Sequence, residues 1–273
     1  MIDAATRLRG VEQLINENQY FVIHAARQSG KTTYLQDLTK RLNAGGKYYV
    51  LYCSLEGVQG VLEPEHGIPA IFDNIVVTLQ NSPSIPFTYD ENYERDKKNR
   101  PLVLLTLFLV DLVKSLDKPL VIFFDEADCL SEGTLISFLR QLRNGYNSRS
   151  ITPFVHSVAL VGMRNIRDYK AKVRPESQGL GGASPFNIVT ETFTLKNFTK
   201  EEIIFLYQQR TNETGQIFKE NAIDLVWEQT QGQPWLVNAI AREVIVKLLD
   251  SDHSKPITAE LVGEAIQNII LNR

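Results

Sequence analysis

The chain has 273 residues, 43% hydrophobic and 22% charged, enough for one large or two small globular domains with a substantial core. This composition excludes disordered, collagen-like and disulfide-stapled proteins. The chain carries 29 Lys and Arg against 32 Asp and Glu, a net charge of -3, so no general attraction to nucleic acid or acidic membranes is expected. No apolar run is long enough to span a membrane, and the two cysteines, Cys53 and Cys129, are typical of reducing interiors. We therefore expect a cytoplasmic protein.

Apolar strands alternate with amphipathic helices along the first two thirds of the chain, a pattern that predicts parallel βαβ units. The predicted strands are 20–25, 48–55, 120–124, 157–161 and 191–195. The predicted helices between them are 32–42, 68–79, 102–116 and 135–142. Segments 57–69, 81–100 and 168–187 are candidate insertions, and the polar segment 81–100 is interpreted as exposed.

Beyond residue 198 every predicted element is a helix. These helices are 201–209, 219–230, 234–249 and 258–271. We therefore expect an α/β core over residues 1–197, a three-layer sandwich with a central parallel five-stranded sheet, and a helical domain over residues 198–273.

The strongest motif is AARQSGKT at 25–32, directly after the first predicted strand and at the start of a helix. Backbone N–H groups of such a loop, with the positive end of the helix, bind phosphates. Lys31 is expected to contact the β- and γ-phosphates and the Thr32 hydroxyl to ligate Mg²⁺, although Ala25 replaces the usual first glycine. The residues expected to bind the nucleotide here are Ala26, Arg27, Gln28, Ser29, Gly30, Lys31, Thr32 and Thr33.

A second motif, LVIFFDE at 120–126, is an apolar strand that runs into two carboxylates. Asp125 is expected at the carboxyl edge of the sheet, where ligands bind in open α/β folds, and there it would hold Mg²⁺. Glu126 is then placed to activate the attacking water as a general base. The two motifs together predict an ATPase with Mg-ATP as its ligand.

The order of these motifs, followed by another apolar strand and by Gly232-Gln233-Pro234 in a helical segment, resembles the AAA+ and STAND branches of the P-loop ATPases. It is most similar to the AAA-like ATP-binding proteins of bacteria and archaea. The resemblance implies that the helical domain is a lid and that Arg164 contacts the γ-phosphate as a catalytic sensor; the alternative for Arg164 is a simple exit from the sheet. It also implies that Arg9 and Pro234 lie near the adenine, and the alternative for Pro234 is an ordinary helix–helix connection.

The sequence leaves the partner open. One hypothesis is an ATP-driven enzyme that acts on a nucleic acid or protein client, and the other is a nucleotide-gated signalling or scaffold switch with little turnover. The basic segment 164–174 is a candidate contact for nucleic-acid phosphates. Arg149 and Arg167 are candidate arginine fingers toward a neighbouring subunit. A protein partner or a homo-oligomer is expected, and the chain is either a stand-alone ATPase subunit or the ATPase part of a longer protein.

Overall fold

The computed structural model describes residues 8, 10–162 and 188–271, and these residues form two compact units. One is an α/β unit of residues 8, 10–25, 32–162 and 188–194, and the other contains the loop 26–31 and the helical residues 195–271. The expected domain boundary at residue 197 stays a prediction. Within the described ranges, no helix is long and apolar enough to cross a membrane.

Five strands form one sheet. They are β1 (Tyr20–Ala25), β2 (Tyr49–Ser54), β3 (Leu120–Asp125), β4 (Ser157–Gly162) and β5 (Val189–Leu195). Their order is β2-β3-β4-β1-β5, and the pairs β2–β3, β3–β4 and β4–β1 are parallel. Strands β3 and β4 are buried at every residue, as continuous apolar runs in a central parallel sheet should be. The predicted α/β fold with a five-stranded sheet is confirmed, and β4 lies between β1 and β3.

Helix α1 (Val11–Asn16) precedes β1. The helices that connect β1 to β4 are α2 (Lys31–Ala44), α3 (Pro64–Gln80), α4 (Asn92–Asn99), α5 (Leu104–Ser115) and α6 (Glu132–Ser148). Short 3-10 turns cover Glu56–Val58, Pro101–Val103 and Ala127–Cys129. The predicted helix 102–116 is instead a 3-10 turn that starts at Pro101, followed by α5 from Leu104. The ring of Pro101 cannot continue a helix from the preceding residue.

The segment 81–100 is largely exposed, as predicted, but some of its apolar side chains pack in or against the core. Ile85 is 3% exposed in the core. From α4, the ring of Tyr93 lies 5.5 Å from that of Phe72 and 5.3 Å from that of Phe108, centroid to centroid. Aromatic pairs at these separations stabilise by about 0.5–1.5 kcal/mol beyond the burial of their area. The prolines and charged residues of the segment predict exposure, so its polarity did not indicate that its aromatic residues contact the core.

The helical unit contains four helices around its own apolar core. They are α7 (Lys200–Thr214), α8 (Glu220–Thr230), α9 (Pro234–Arg242), which continues as a π-helical turn over Glu243–Leu248, and α10 (Ala259–Leu271). Thr199 and Glu202 form a reciprocal capping box that satisfies two orphan N–H groups at the start of α7. In the core, the ring of Tyr207 stacks on Phe218 at 4.2 Å and its hydroxyl donates to the carbonyl of Val237.

Candidate functional site

The loop 26–31 joins β1 to α2. Gln28 and Gly30 have left-handed backbones, with φ of 59° and 86°, and backbone that enters this region is typical of anion-binding nests. Ser29 is 1% exposed, and its buried Oγ has no hydrogen-bond partner among the residues that the structure describes. A buried hydroxyl without a partner is costly. The loop therefore offers a polar atom and a backbone conformation that suit an anionic ligand.

Helix α2 begins at Lys31, which is largely buried. The first turn of α2 contains no acidic residue, so no side chain there offsets the positive end of the helix dipole. The expected nucleotide-binding residues that are exposed to solvent are Ala26, Arg27, Gln28, Gly30 and Thr33. An exposed loop ahead of a positive helix end can accept a phosphate from solvent.

Asp125, at the end of β3, is held by three hydrogen bonds. Its Oδ2 accepts from the hydroxyl of Thr32 at 2.8 Å and from the hydroxyl of Tyr52 at 2.9 Å. Its Oδ1 accepts from the backbone N–H of Glu126 at 2.9 Å. The carboxylate is only 1% exposed, so these donors compensate for its removal from water. The structure therefore brings together Thr32 and Asp125, the two residues expected to hold a metal ion.

The oxygen donors of this pair fit a magnesium ion. Hydroxyl and carboxylate oxygens are the hard ligands that Mg²⁺ takes in proteins, usually with only one or two protein groups and several waters or phosphates. Thr32 and Asp125 supply such a set. The role of the two residues as metal ligands stays a prediction.

Tyr52 is a site residue that the sequence analysis missed. On β2, Tyr52 pairs with Phe123 and Ser54 pairs with Asp125. Because alternate residues of a strand share a face, the Tyr52 ring lies on the same face of the sheet as Asp125. Burial, and then the charge of Asp125 and the hydrogen bond to it, raise the pKa of Tyr52, so its phenol remains a donor at neutral pH. The available signal was a tyrosine at the carboxyl end of a buried strand.

Glu126 follows β3 in a left-handed conformation, with φ 55° and ψ 36°. Such a backbone is uncommon for a residue with a side chain, and strained residues of this kind cluster at functional sites. The side chain is partly exposed, so it can meet a water molecule. Its assignment as general base stays a prediction.

Cys129, three residues further on, is a neutral thiol. Its Sγ lies 3.0 Å from the carbonyl of Leu55, to which it donates. Burial and the nearby charges of Asp128 and Glu126 raise the pKa of the Cys129 thiol to about 11. A thiol in this state is not a nucleophile at neutral pH.

Strand β4 ends at Gly162, against which the side chain of Asp128 packs. A Cβ at Gly162 would lie 2.6 Å from Oδ1 of Asp128, so a larger residue here would require the Asp128 side chain to move. The expected sensor Arg164, the candidate finger Arg167, the basic segment 164–174 and Arg9 all lie outside the described residues.

Arg149 is engaged within its own unit. Its guanidinium donates to the backbone carbonyl of Asn18 at 2.7 Å and lies 3.8 Å from the ring centroid of Tyr146. A guanidinium that stacks on an aromatic ring and bonds a carbonyl is strongly held. This favours a structural role for Arg149 over that of an arginine finger.

Pro234 lies in the helical unit, at the first position of α9, and is buried. The preceding Gly232 has φ 72°, and a Cβ there would overlap the carbonyl oxygen of Phe198. The N–H of Phe198 donates to the carbonyl of Gly232 at 2.8 Å. The Gly-x-Pro turn thus has a local structural reason, and the place of Pro234 near an adenine stays a prediction.

The strand order and the contact between Thr32 and Asp125 agree with a match to a family model. The model of the AAA-like domain matches residues 6–253. This chain belongs to the AAA-like domain family. It is therefore a P-loop protein of the AAA+ type, which confirms the resemblance at that level. No curated protein matches the sequence.

Three solved structures illustrate the fold that this AAA-like protein shares. The Walker-type ATPase Paby2304 of Pyrococcus abyssi superposes with a TM-score of 0.66 at 17% identity, over 100% of this chain and 74% of that chain. Cdc6p from Pyrobaculum aerophilum gives 0.64 at 13% identity, over 98% and 67%. The Aeropyrum pernix ORC1 protein, solved in complex with DNA, gives 0.61 at 14% identity, over 97% of this chain and 65% of that chain. At these identities the likeness is one of fold, and this chain spans just under two thirds of ORC1.

Proposed function

We propose that this AAA-like protein binds Mg-ATP and hydrolyses its β–γ phosphoanhydride bond. The observation that carries the proposal is the 2.8 Å hydrogen bond between the Thr32 hydroxyl, at the start of α2, and the Asp125 carboxylate, at the end of β3. This bond connects the phosphate-binding motif to the acidic motif. In open α/β sheets, ligands bind at the carboxyl ends of the strands, which is where both motifs lie.

The loop 26–31 and the first turn of α2 would hold the phosphates. Backbone N–H groups around the left-handed Gln28 and Gly30 and the positive end of α2 attract the triphosphate. Lys31 would neutralise charge on the β- and γ-phosphates as a point charge. The exposed side chains of this loop and Thr33 would contact the ligand from the solvent side.

Thr32 and Asp125 would hold the magnesium ion through their hydroxyl and carboxylate oxygens. A magnesium ion held there would supply neutralisation of the phosphate charge. The chain's own contribution is orientation, because the hydrogen bonds at Asp125 keep the two oxygen donors facing one another.

Glu126 would serve as the general base. Its carboxylate would take a proton from water while the water oxygen bonds to the γ-phosphorus and the bridging oxygen leaves with ADP. The left-handed backbone of Glu126 turns the chain sharply after β3. The carboxylates of Asp125 and Glu126 would therefore have different roles. Asp125 is buried and would face the metal ion, and Glu126 remains partly accessible to water.

Nucleotide state would be coupled to a partner through the helical unit. The STAND-like features, a γ-phosphate sensor at Arg164, an adenine contact at Arg9 and Pro234, and a nucleic-acid contact at 164–174, belong to this proposal. Its support is the fold shared with ORC1, which was solved with DNA. The alternative is a slow switch with little turnover. It is favoured by the hydrogen bond from Arg149 to the carbonyl of Asn18, because an arginine held within its own unit does not act as a finger toward a neighbouring subunit.

The test compares binding and turnover in matched variants. Lys31→Ala should abolish binding of ATP, whereas Glu126→Gln should keep binding and lose turnover by a factor of about 100 to 10,000. Lys40→Ala on the exposed face of α2 and Glu132→Gln at the start of α6 are the controls. If Glu126→Gln turns ATP over at the wild-type rate, Glu126 is not the base. Measuring the rate and the oligomeric mass with and without DNA or RNA separates a client-driven ATPase from a switch.

A further inference from the structure

The carboxylate of Asp125 is shared between two hydroxyl donors that differ in kind. Thr32 is the second residue of α2 and the last residue of the phosphate-binding motif. Tyr52 lies on β2, the strand that pairs with β3, 73 positions before Asp125. Both donate to the same atom, Oδ2, at 2.8 and 2.9 Å. An oxygen that accepts two hydrogen bonds is fixed in direction by both donors.

We propose that Tyr52 is a positioning residue, which holds the Asp125 carboxylate toward Thr32 and thereby strengthens the coupling between Mg²⁺ and nucleotide. This inference rests on the proposed function. The phenol does not touch the nucleotide or the metal ion in this scheme, and it acts only through Asp125.

The physical reason lies in burial. Asp125 is 1% exposed, so its carboxylate depends on donors from the protein. Without the Tyr52 hydroxyl, Oδ2 accepts only from Thr32. A buried carboxylate that has lost a donor is stabilised by rotating toward another one. Rotation takes Oδ2 away from Thr32 and separates the two oxygen atoms that a hard divalent cation needs together.

The same strand offers a matched comparison. Tyr49 also donates its hydroxyl to a carboxylate, Asp117, at 2.7 Å. It lies at the opposite end of β2 from Tyr52, and Asp117 has no part in the proposed site. Tyr49→Phe and Tyr52→Phe therefore remove the same kind of bond from the same strand, and only one of them is next to Asp125.

The experiment measures the binding of mant-ATP by fluorescence anisotropy, once in MgCl2 and once in EDTA, for the full chain and both variants. The ratio of the two Kd values is the coupling between the metal and the nucleotide. We expect Tyr52→Phe to reduce this ratio about three- to tenfold, the effect of losing one ordinary hydrogen bond. The Kd in EDTA should be unchanged in all three proteins, and Tyr49→Phe should keep the wild-type ratio.

A second measurement asks whether Tyr52 acts through Asp125. Adding Tyr52→Phe to Thr32→Val should reduce the ratio no further than Thr32→Val does by itself, because both hydroxyls act on one oxygen. Thermal unfolding shows that each variant is folded at the assay temperature. Independent, additive losses would overturn the positioning role.

Other outcomes contradict the inference in distinguishable ways. An unchanged ratio in Tyr52→Phe overturns it, as does an equal loss of affinity in MgCl2 and EDTA, which would mean that the phenol supports the loop or the nucleotide directly. If the wild-type chain binds no mant-ATP, or binds it equally with and without Mg²⁺, the proposed function itself fails, and the inference fails with it.

Discussion

The hydroxyl of Thr32 donates to Oδ2 of Asp125 over 2.8 Å, although 93 positions separate the two residues in the chain. The contact follows from parallel strands, because the carboxyl ends of β1 and β3 lie at one edge of the sheet. It places a hydroxyl and a carboxylate where one divalent cation can meet both. The predictions below start from this pair.

Thr32→Val should raise the Mg²⁺ concentration needed for half-maximal nucleotide binding by about 100-fold, because valine has the shape of threonine but lacks the oxygen that would ligate the ion. The Mg²⁺ concentration that gives half-maximal mant-ATP binding measures the change. Thr39→Val is the control, since Thr39 lies on the same helix and its hydroxyl donates only to the carbonyl of Leu35. Equal midpoints for Thr32→Val and Thr39→Val would exclude Thr32 as a ligand.

Gly30→Ala should abolish nucleotide binding, while Gly60→Ala should leave it intact. Both glycines have φ 86° and open space where a Cβ would lie, so both variants pay the same backbone strain, about 1–2 kcal/mol of unfolding free energy. Only Gly30 lies in the loop that would present N–H groups to phosphates. Urea unfolding of the two variants measures the backbone strain, and mant-ATP titration measures the effect on binding. A wild-type affinity in Gly30→Ala would show that the loop does not bind the nucleotide.

Gly232→Ala should unfold the helical unit or destabilise it by more than about 3 kcal/mol, because a Cβ would overlap the carbonyl oxygen of Phe198 at a position with φ 72°. Gly263→Ala should have the opposite sign. It lies inside α10 with open space around it, where alanine stabilises a helix by about 0.5–1 kcal/mol. Chemical denaturation followed by circular dichroism gives both values. A Gly232→Ala variant as stable as the wild type would contradict the tight packing of this turn.

Stability should fall as the pH is lowered from 7.5 to 5.5, in part through His156. Burial lowers the pKa of His156, with the charges of Arg149 and Lys47 acting in the same direction. The unfolded chain therefore binds a proton near pH 6.5 while the folded state does not, and the free energy of unfolding decreases as the pH falls through that range. Urea midpoints at the two pH values should differ less in His156→Gln than in the wild type.

The control for this pH effect is His66→Gln. His66 is exposed on α3, so its replacement should leave the wild-type difference between the two midpoints. If His156→Gln also keeps the full difference, His156 does not contribute to it.

Much of the fold could be predicted because the signals are local. The continuous apolar runs of β3 and β4 and the GKT sequence at the start of α2 each lie within a few consecutive residues. Hydrophobic periodicity reports which side of an element is buried, and a phosphate-binding loop needs a fixed spacing along the backbone. Element ends differed by up to six residues, as at α6, which ends at Ser148 where residue 142 was predicted.

The sequence by itself determined that this protein has a phosphate-binding loop, an acidic strand end and an α/β core followed by helices. Only the tertiary structure decided that Tyr52 shares Asp125 with Thr32, that Arg149 is held by Asn18, and that the aromatic residue Tyr93 of segment 81–100 packs into the core. These contacts join residues far apart in the chain. They depend on which strands are neighbours and in what register, and the periodicity of a single strand carries no information about its neighbour.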